Sequence, residues 1–380
     1  MRREKCIRFE IHDIRNPSIV INLRRFFYII VFSMLLMLHC TSSNPGKKNE
    51  KYNLQTKVKR LGPLPDVLKA PALMVDDSQI YVWDKFLCKV YIYSKKDLTN
   101  IAEFGRKGEA PAEFLTIHGA GLTDKYIYVN SYPRLSFFSK DGKFLKEMKG
   151  SSDAGLFIPI GHNFIGRKHI YSPPPKNDKY AYILFDKDLR KIKELIETEY
   201  MREFQDVKPK MKVSWFKDCY KGVVYKDRFY VGSTGRGFYF AVFNADGERL
   251  YEIEKDYERI KVTQNIKDYI LENVRKVEDQ GLKKYFSQID IYFPDYFPAY
   301  ITFAVDHDQI YVFKYPRHKA ATLEVMVLDL GGNLIKTTNL PSSFWKGLQE
   351  NSLYLYDGNL YFIDLGEDME TPEIYEATID

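Results

Sequence analysis

A short strand signal, an apolar residue followed by Tyr and a third strand-forming position, recurs six times along the chain. The copies are Ile80-Tyr81-Val82, Ile127-Tyr128-Val129, Ile170-Tyr171-Ser172, Phe229-Tyr230-Val231, Ile310-Tyr311-Val312 and Leu360-Tyr361-Phe362, separated by 47, 43, 59, 81 and 50 residues. An apolar stretch and a polar turn precede most of them, as in Met74-Val75-Asp76-Asp77 and Ala304-Val305-Asp306-His307, which is the pattern of a hairpin. A third strand follows about ten residues later, at Tyr91–Tyr93, Ser136–Phe138, Ile183–Phe185, Ala241–Phe243, Met326–Leu328 and Tyr375–Ala377. In the middle copies a turn rich in Asp and Gly then opens a fourth strand, because Gly supplies the positive φ that a tight turn demands. Four antiparallel strands repeated at this spacing are one propeller blade. The expected fold is therefore all-β, a six-bladed β-propeller.

The sixth copy runs out at Asp380 after three strands, whereas Leu54–Leu61 alternates like a strand ahead of the first blade. That segment is expected to complete the last blade and close the ring, since an open ring leaves an unpaired edge. Two connections exceed the repeat, at 197–212 and 256–297. Within the second, Ile266, Ile270, Val274 and Val277 recur at helical spacing, so a helical insertion is expected over 263–287, between blades 4 and 5. Its apolar face has to bury against one end of the propeller, as a lid over the channel or along a blade rim.

The N-terminus reads as an address. Arg24 and Arg25 precede a 13-residue apolar run, 26–38, that is too short for the roughly 30 Å hydrocarbon core. A basic flank, a short apolar stretch and a polar continuation make 1–39 a leader with a signal peptide. Leu36-Met37-Leu38-His39-Cys40 resembles the lipobox of bacterial lipoproteins, with His39 where such sequences carry a small residue. The resemblance implies that Cys40 is acylated, that 40–53 is an anchor and polar tether, and that the propeller occupies 54–380 in a bacterial cell envelope, lipid-anchored on its periplasmic or outer-membrane side. The membrane is then a partner through the lipid.

Two stretches resemble NHL-like and TolB-like six-bladed propellers of bacterial envelopes: 104–114, in which Ala110 and Ala112 stand where those proteins write glycines, and the proline-aromatic turn of 292–316. The resemblance implies a fold and no single activity.

Charge argues against nucleic acid as a partner. The first 39 residues hold seven Arg or Lys against three acids, leaving only +2 of the overall +6 for the rest of the chain. Of the four cysteines, Cys6 leaves with the leader and Cys40 takes the lipid, and Cys88 and Cys219 are expected to be free and buried. There is no nucleophile elbow and no phosphate loop, and no cofactor is expected. His118 and His162 align nine and eight residues before their triplets, so both are expected in inner strands of adjacent blades. Two imidazoles are short of a metal site, and no metal is expected. His169, His307 and His318 read as solvated turn residues. Trp215 and Trp345, each beside a Phe, together with Arg317, His118 and His162, are the candidate residues of a channel mouth. A non-enzymatic scaffold for a protein, small-molecule or glycan ligand is expected. The alternative is a metal-assisted hydrolase or lyase of the gluconolactonase or amidating-lyase propeller kind.

Lipidation is checked by feeding expressing bacteria a clickable fatty acid. The full chain should take the label and Cys40→Ser should take none.

Overall fold

The structure, a computed structural model, describes residues 57–67, 71–85, 87–150, 153–171, 178–200, 204–207, 210–216, 218–276, 280–315, 322–341, 344, 352–364 and 371–379. Six four-stranded antiparallel sheets stand around an axis. Their innermost strands are Pro71–Val75, Gly119–Leu122, Leu156–Ile160, Tyr220–Tyr225, Thr302–Asp306 and Leu353–Tyr356, in blades 1 to 6. Innermost strands of neighbouring blades touch, at blades 3 and 4, 4 and 5, 5 and 6, and 6 and 1.

The recurring Tyr has a packing reason. Tyr81 joins a core between blades 1 and 2, Tyr128 one between 2 and 3, and Tyr230 one between 4 and 5. Tyr311 and Tyr361 do the same between blades 5 and 6, and 6 and 1. The triplet's outer residues face the blade behind, because side chains alternate along a strand. The hydrophobic core is thus six cores, each shared by two blades, and a buried aromatic ring in one contributes roughly 1.5–3 kcal/mol.

Blade 3 departs from the expected alignment. Its second strand is Asn163–Ile170, so Phe164-Ile165-Gly166 occupies the triplet position and Ile165 takes the place of Tyr in the core shared with blade 4. Ile170-Tyr171-Ser172 imitates the signal at the far end of that strand, and Tyr171 lies beyond it, 76% exposed. An eight-residue strand offers two apolar–aromatic patches, and only burial distinguishes them.

Closure is by the N-terminal strand. Val58–Pro63 pairs antiparallel with Glu373–Thr378, giving blade 6 its outer strand. Arg60 grips Glu373 through both guanidinium branches, one at 2.8 Å. The core between blades 6 and 1 contains Leu64, Val67, Tyr361, Ile363 and Ile374, so it needs both ends of the chain.

Polar clasps cross every interface. Asn130 in blade 2 donates to Phe157 O (3.0 Å) and accepts from Phe157 N (2.8 Å), extending blade 3's backbone ladder by a side chain. Lys140 reaches Asp76 at 2.8 Å, Asn163 donates to Ala245 O at 3.0 Å, and Lys226 pairs with Asp308 at 2.8 Å. His307 meets Asp357 at 2.9 Å, and the Tyr356 hydroxyl donates to Asp77 at 2.7 Å. In the 104–114 connection Ala112 keeps a left-handed φ of 64°, which costs a residue with a Cβ about 1–2 kcal/mol. Arg134 holds that loop by donating to the carbonyls of Glu109, Ala110 and Glu113.

The insertion forms two helices between blades 4 and 5, α1 (Gln264–Lys276) and α2 (Gln280–Ser287). The charged connection before blade 4 begins later than expected, because Lys191–Tyr200 is blade 3's outer strand. Part of that connection joins the insertion: Lys210–Ser214 pairs with Phe204–Val207 and, in parallel, with Ile289–Tyr292. Among the described residues no helix is long and apolar enough to cross a membrane.

The Arg60 guanidinium holds the Glu373 carboxyl down at about 2, against an ordinary 4.5. A depressed carboxylate contributes stability above its unfolded value and loses it as pH falls through the folded one. Glu373→Gln should therefore unfold earlier than wild type at pH 7. The difference should shrink between about pH 4.5 and 2, as read by thermal melts across that range.

Candidate functional site

The two ends of the ring differ. Innermost and second strands meet at tight turns on one end, the turn face, and the clasps from Lys226, His307 and Tyr356 lie there. Innermost strands start from the other end, the loop face, and every long connection leaves from and returns to it. His307 is one of the turn residues, with φ 47° and an exposed side chain, but it is paired with Asp357 rather than only solvated.

The predicted residues do not come together. His118 is exposed at the loop-face start of blade 2's innermost strand, its N–H donating to Asn130 O at 2.8 Å. His162 is exposed in the turn after blade 3's innermost strand, on the opposite face. The misplaced triplet of blade 3 produced this error. Counting back eight residues from Ile170 reaches the far end of the inner strand. Trp215 is half-buried on the loop face, its ring 6.4 Å from that of Phe293. It belongs to a cap in which Phe216, Val262, Phe297 and Tyr315 form a buried cluster with Ile266 and Ile270 of α1 packed against it. The apolar face of the helix is therefore buried on the loop face of blades 4 and 5. Cys40, Arg317, His318 and Trp345 lie outside the described residues, as does Pro173-Pro174-Pro175.

Beside the cap, polar groups line the start of blade 4's innermost strand. The Thr234 hydroxyl accepts from Cys219 N (2.7 Å) and donates to Asp218 (3.0 Å). Burial raises the Asp218 carboxyl and pushes the Cys219 thiol up to about 12. Both Cys88 and Cys219 are free and buried, and a protonated thiol is no nucleophile at neutral pH. Lys221 points the other way, toward blade 5, donating to Phe303 O at 2.9 Å and Thr302 Oγ1 at 3.3 Å. No carboxylate among the described residues pairs with it, and burial lowers its pKa.

A row of rings runs from the surface into the core shared by blades 3 and 4. His169, expected in a turn, is instead in the second strand of blade 3, its Nε2 3.1 Å from the buried Asp178 carboxylate. Its imidazole centroid is 4.1 Å from exposed Tyr171 and 4.6 Å from Tyr180, stacked on the latter. Tyr180 stacks on Tyr220 at 5.7 Å, and Tyr220 lies 4.9 Å from buried Tyr182. The half-buried Arg167 guanidinium sits 5.3 Å over Tyr180, and exposed Arg236 sits 4.9 Å over Tyr239. Burial raises the Tyr220 phenol, and the charges of both guanidiniums oppose that rise through space. Neither is paired with a carboxylate among the described residues. Other partly buried cations are matched, Arg134 with Glu147, Lys314 with Glu324 and Lys179 with Glu197. The signal for this row was in the sequence as Arg167 and His169, alternate positions of one strand and so one face, with Tyr171 just past its end. The false triplet obscured it.

Among the described residues no three His, Cys, Asp or Glu are grouped to hold a metal ion. The metal-assisted hydrolase or lyase reading has no geometry behind it there.

The fold has solved counterparts. A protein of Bacteroides fragilis designated as exported superposes with a TM-score of 0.53 at 10% identity, covering 87% of this chain and 98% of its own. BamB of Moraxella catarrhalis covers 80% of this chain and 81% of its own at 8% identity, with a TM-score of only 0.31. The chain is a six-bladed propeller. No protein-family profile matches the chain, and no curated protein matches it. At these identities the likeness concerns the fold alone, and any function has to be argued from the site.

Removing the desolvated charge at Lys221 should stabilise the ring. A lowered lysine pKa means that the folded state disfavours the charge, at full cost below the folded value and none above about 10.5. Lys221→Met should gain roughly 1–2 kcal/mol at pH 7. Denaturant titrations should show that gain shrinking as pH approaches 10.5.

Proposed function

We propose that this protein is an envelope lipoprotein, held at a membrane by acylated Cys40 and a short polar tether, whose NHL-like propeller binds a ligand or partner on its loop face without catalysing a reaction. The observation that carries this reading is the asymmetry of the ring. The turn face is spent on clasps between blades. The loop face holds the cap, the exposed ring of Tyr171 beside His169, and two guanidiniums that no carboxylate among the described residues pairs with. A half-buried cation such as Arg167, with no carboxylate partner among the described residues, costs stability, and a surface that keeps it is suited to binding. The Cys219 thiol, pushed up to about 12 by burial, stays protonated at neutral pH and is no nucleophile, which favours binding over thiol chemistry there. The tether enters the ring at blade 6, so the lipid would hang the propeller from its closing blade.

Cell fractionation and ligand capture test the two halves separately. Wild type should sediment with membranes and Cys40→Ser should be released. Capture by the purified full chain should fail in Tyr171→Ala and Arg236→Ala and persist in the turn-face variant Lys226→Ala. Capture lost equally in Lys226→Ala, or unaffected by the loop-face changes, would move the site elsewhere.

A further inference from the structure

The insertion on the loop face leaves one strand edge open. Ile289–Tyr292 is the outermost strand of its three-stranded sheet. It pairs in parallel with Lys210–Ser214 on one side, and no strand among the described residues covers the other. Trp215 N donates to Tyr292 O at 3.0 Å, so the backbone groups of Tyr292 face the paired side. Backbone groups point to alternate sides along a strand, and those of Ile291 therefore face the open one. An edge of this kind is satisfied by another extended backbone.

Against this strand lies a hollow of about 540 Å³, lined by Leu271, Val274 and Arg275 of α1, Phe286 of α2, and Ile289 and Ile291. Its volume is that of a pocket for a bulky apolar group. Arg275 supplies the charge at its wall, an exposed guanidinium that no carboxylate among the described residues pairs with. Asp290 also borders the hollow, but it sits between Ile289 and Ile291 and so turns its side chain to the strand's other face. From Leu271 to Arg275 the helix rises about 6 Å, and two residues of extended chain cover about 6.6 Å.

We infer that this edge and hollow form a docking groove for an extended peptide of a partner protein, added as a fourth strand beside Ile289–Tyr292. A large apolar side chain of that peptide fills the hollow, and an acidic residue two positions along, on the same face, meets Arg275. The inference rests on the loop face being the binding face, names the chemistry of its partner, and does not depend on acylation of Cys40. An acyl chain fills the hollow but leaves the strand edge unsatisfied.

The test is fluorescence polarisation of the detergent-solubilised full chain with labelled peptides Gly-Thr-Thr-Z-Thr-X-Thr-Gly, in which Z is Ala, Leu or Phe and X is Glu, Thr or Lys. Leu or Phe with Glu should bind, and Ala at Z should not. Replacing Glu by Thr should weaken binding about tenfold, the loss of one charge-assisted hydrogen bond. Arg275→Glu should reverse the order, taking the Lys peptide over the Glu peptide. Ile291→Pro removes the outward N–H and keeps the inner pairing, because proline is tolerated where an edge N–H faces away, and it should abolish binding. Melting curves show whether that variant is folded, and N-methylation of the peptide backbone, which should also abolish binding, asks the same question of the wild-type chain. No binding by any peptide, indifference to N-methylation, equal binding of Glu and Lys peptides, or displacement of the bound peptide by decanoate would each overturn the inference. So would a dimer of the full chain that Ile291→Pro dissolves, since a second copy then holds the edge. Loop-face capture that needs Tyr171 but survives Ile291→Pro would overturn the inference and leave the binding-face reading intact.

Discussion

The ring depends on its closure. Each blade buries its two faces only because a neighbour stands on both sides, and the six cores are interfaces between blades rather than interiors of them. The core between blades 6 and 1 is built from residues near both ends of the chain, Leu64 and Val67 at one and Ile374 at the other. Without the pairing of Val58–Pro63 with Glu373–Thr378, blade 6 keeps an open edge and blade 1 loses its backing. The Arg60–Glu373 pair is exposed and modest in energy. Its importance lies in fixing the register of the one strand that comes from far away in sequence.

That constraint explains the division of labour between the faces. Turns between innermost and second strands are short, lie close to their neighbours and make the inter-blade contacts of Lys226, His307 and Tyr356. Connections between blades have to climb from an outermost strand back to the axis, and length added there disturbs no clasp. The cap uses that freedom, with α1 resting Ile266 and Ile270 on Phe216, Phe297 and Tyr315.

Much of the fold was legible because its period is short. Alternation along a strand is local, and Tyr81, Tyr128, Tyr230, Tyr311 and Tyr361 announce the same packing duty in five blades. Blade 3 was misread because Ile165 performs that duty without an aromatic, while Ile170-Tyr171 imitates it outside the core. One displaced strand then carried His162 to the wrong face. The candidate site fared worse for the same reason. Side chains from Arg167, Tyr180 and Tyr220 meet across two blades, and no spacing in the chain encodes that meeting.

By itself the sequence determined the blade count, the all-β class, the helical insertion and the free, buried thiols, because each follows from local periodicity or composition. Only the tertiary structure decided which face carries chemistry and which is tied shut. It separated His118 from His162, took His169 from a turn into a strand beside Asp178, and set Arg167 and Arg236 over tyrosine rings with no carboxylate partner among the described residues. The physical reason is that partnership between charges depends on distance through space. In a closed ring those distances are set by the neighbouring blade, whose residues lie tens of positions away.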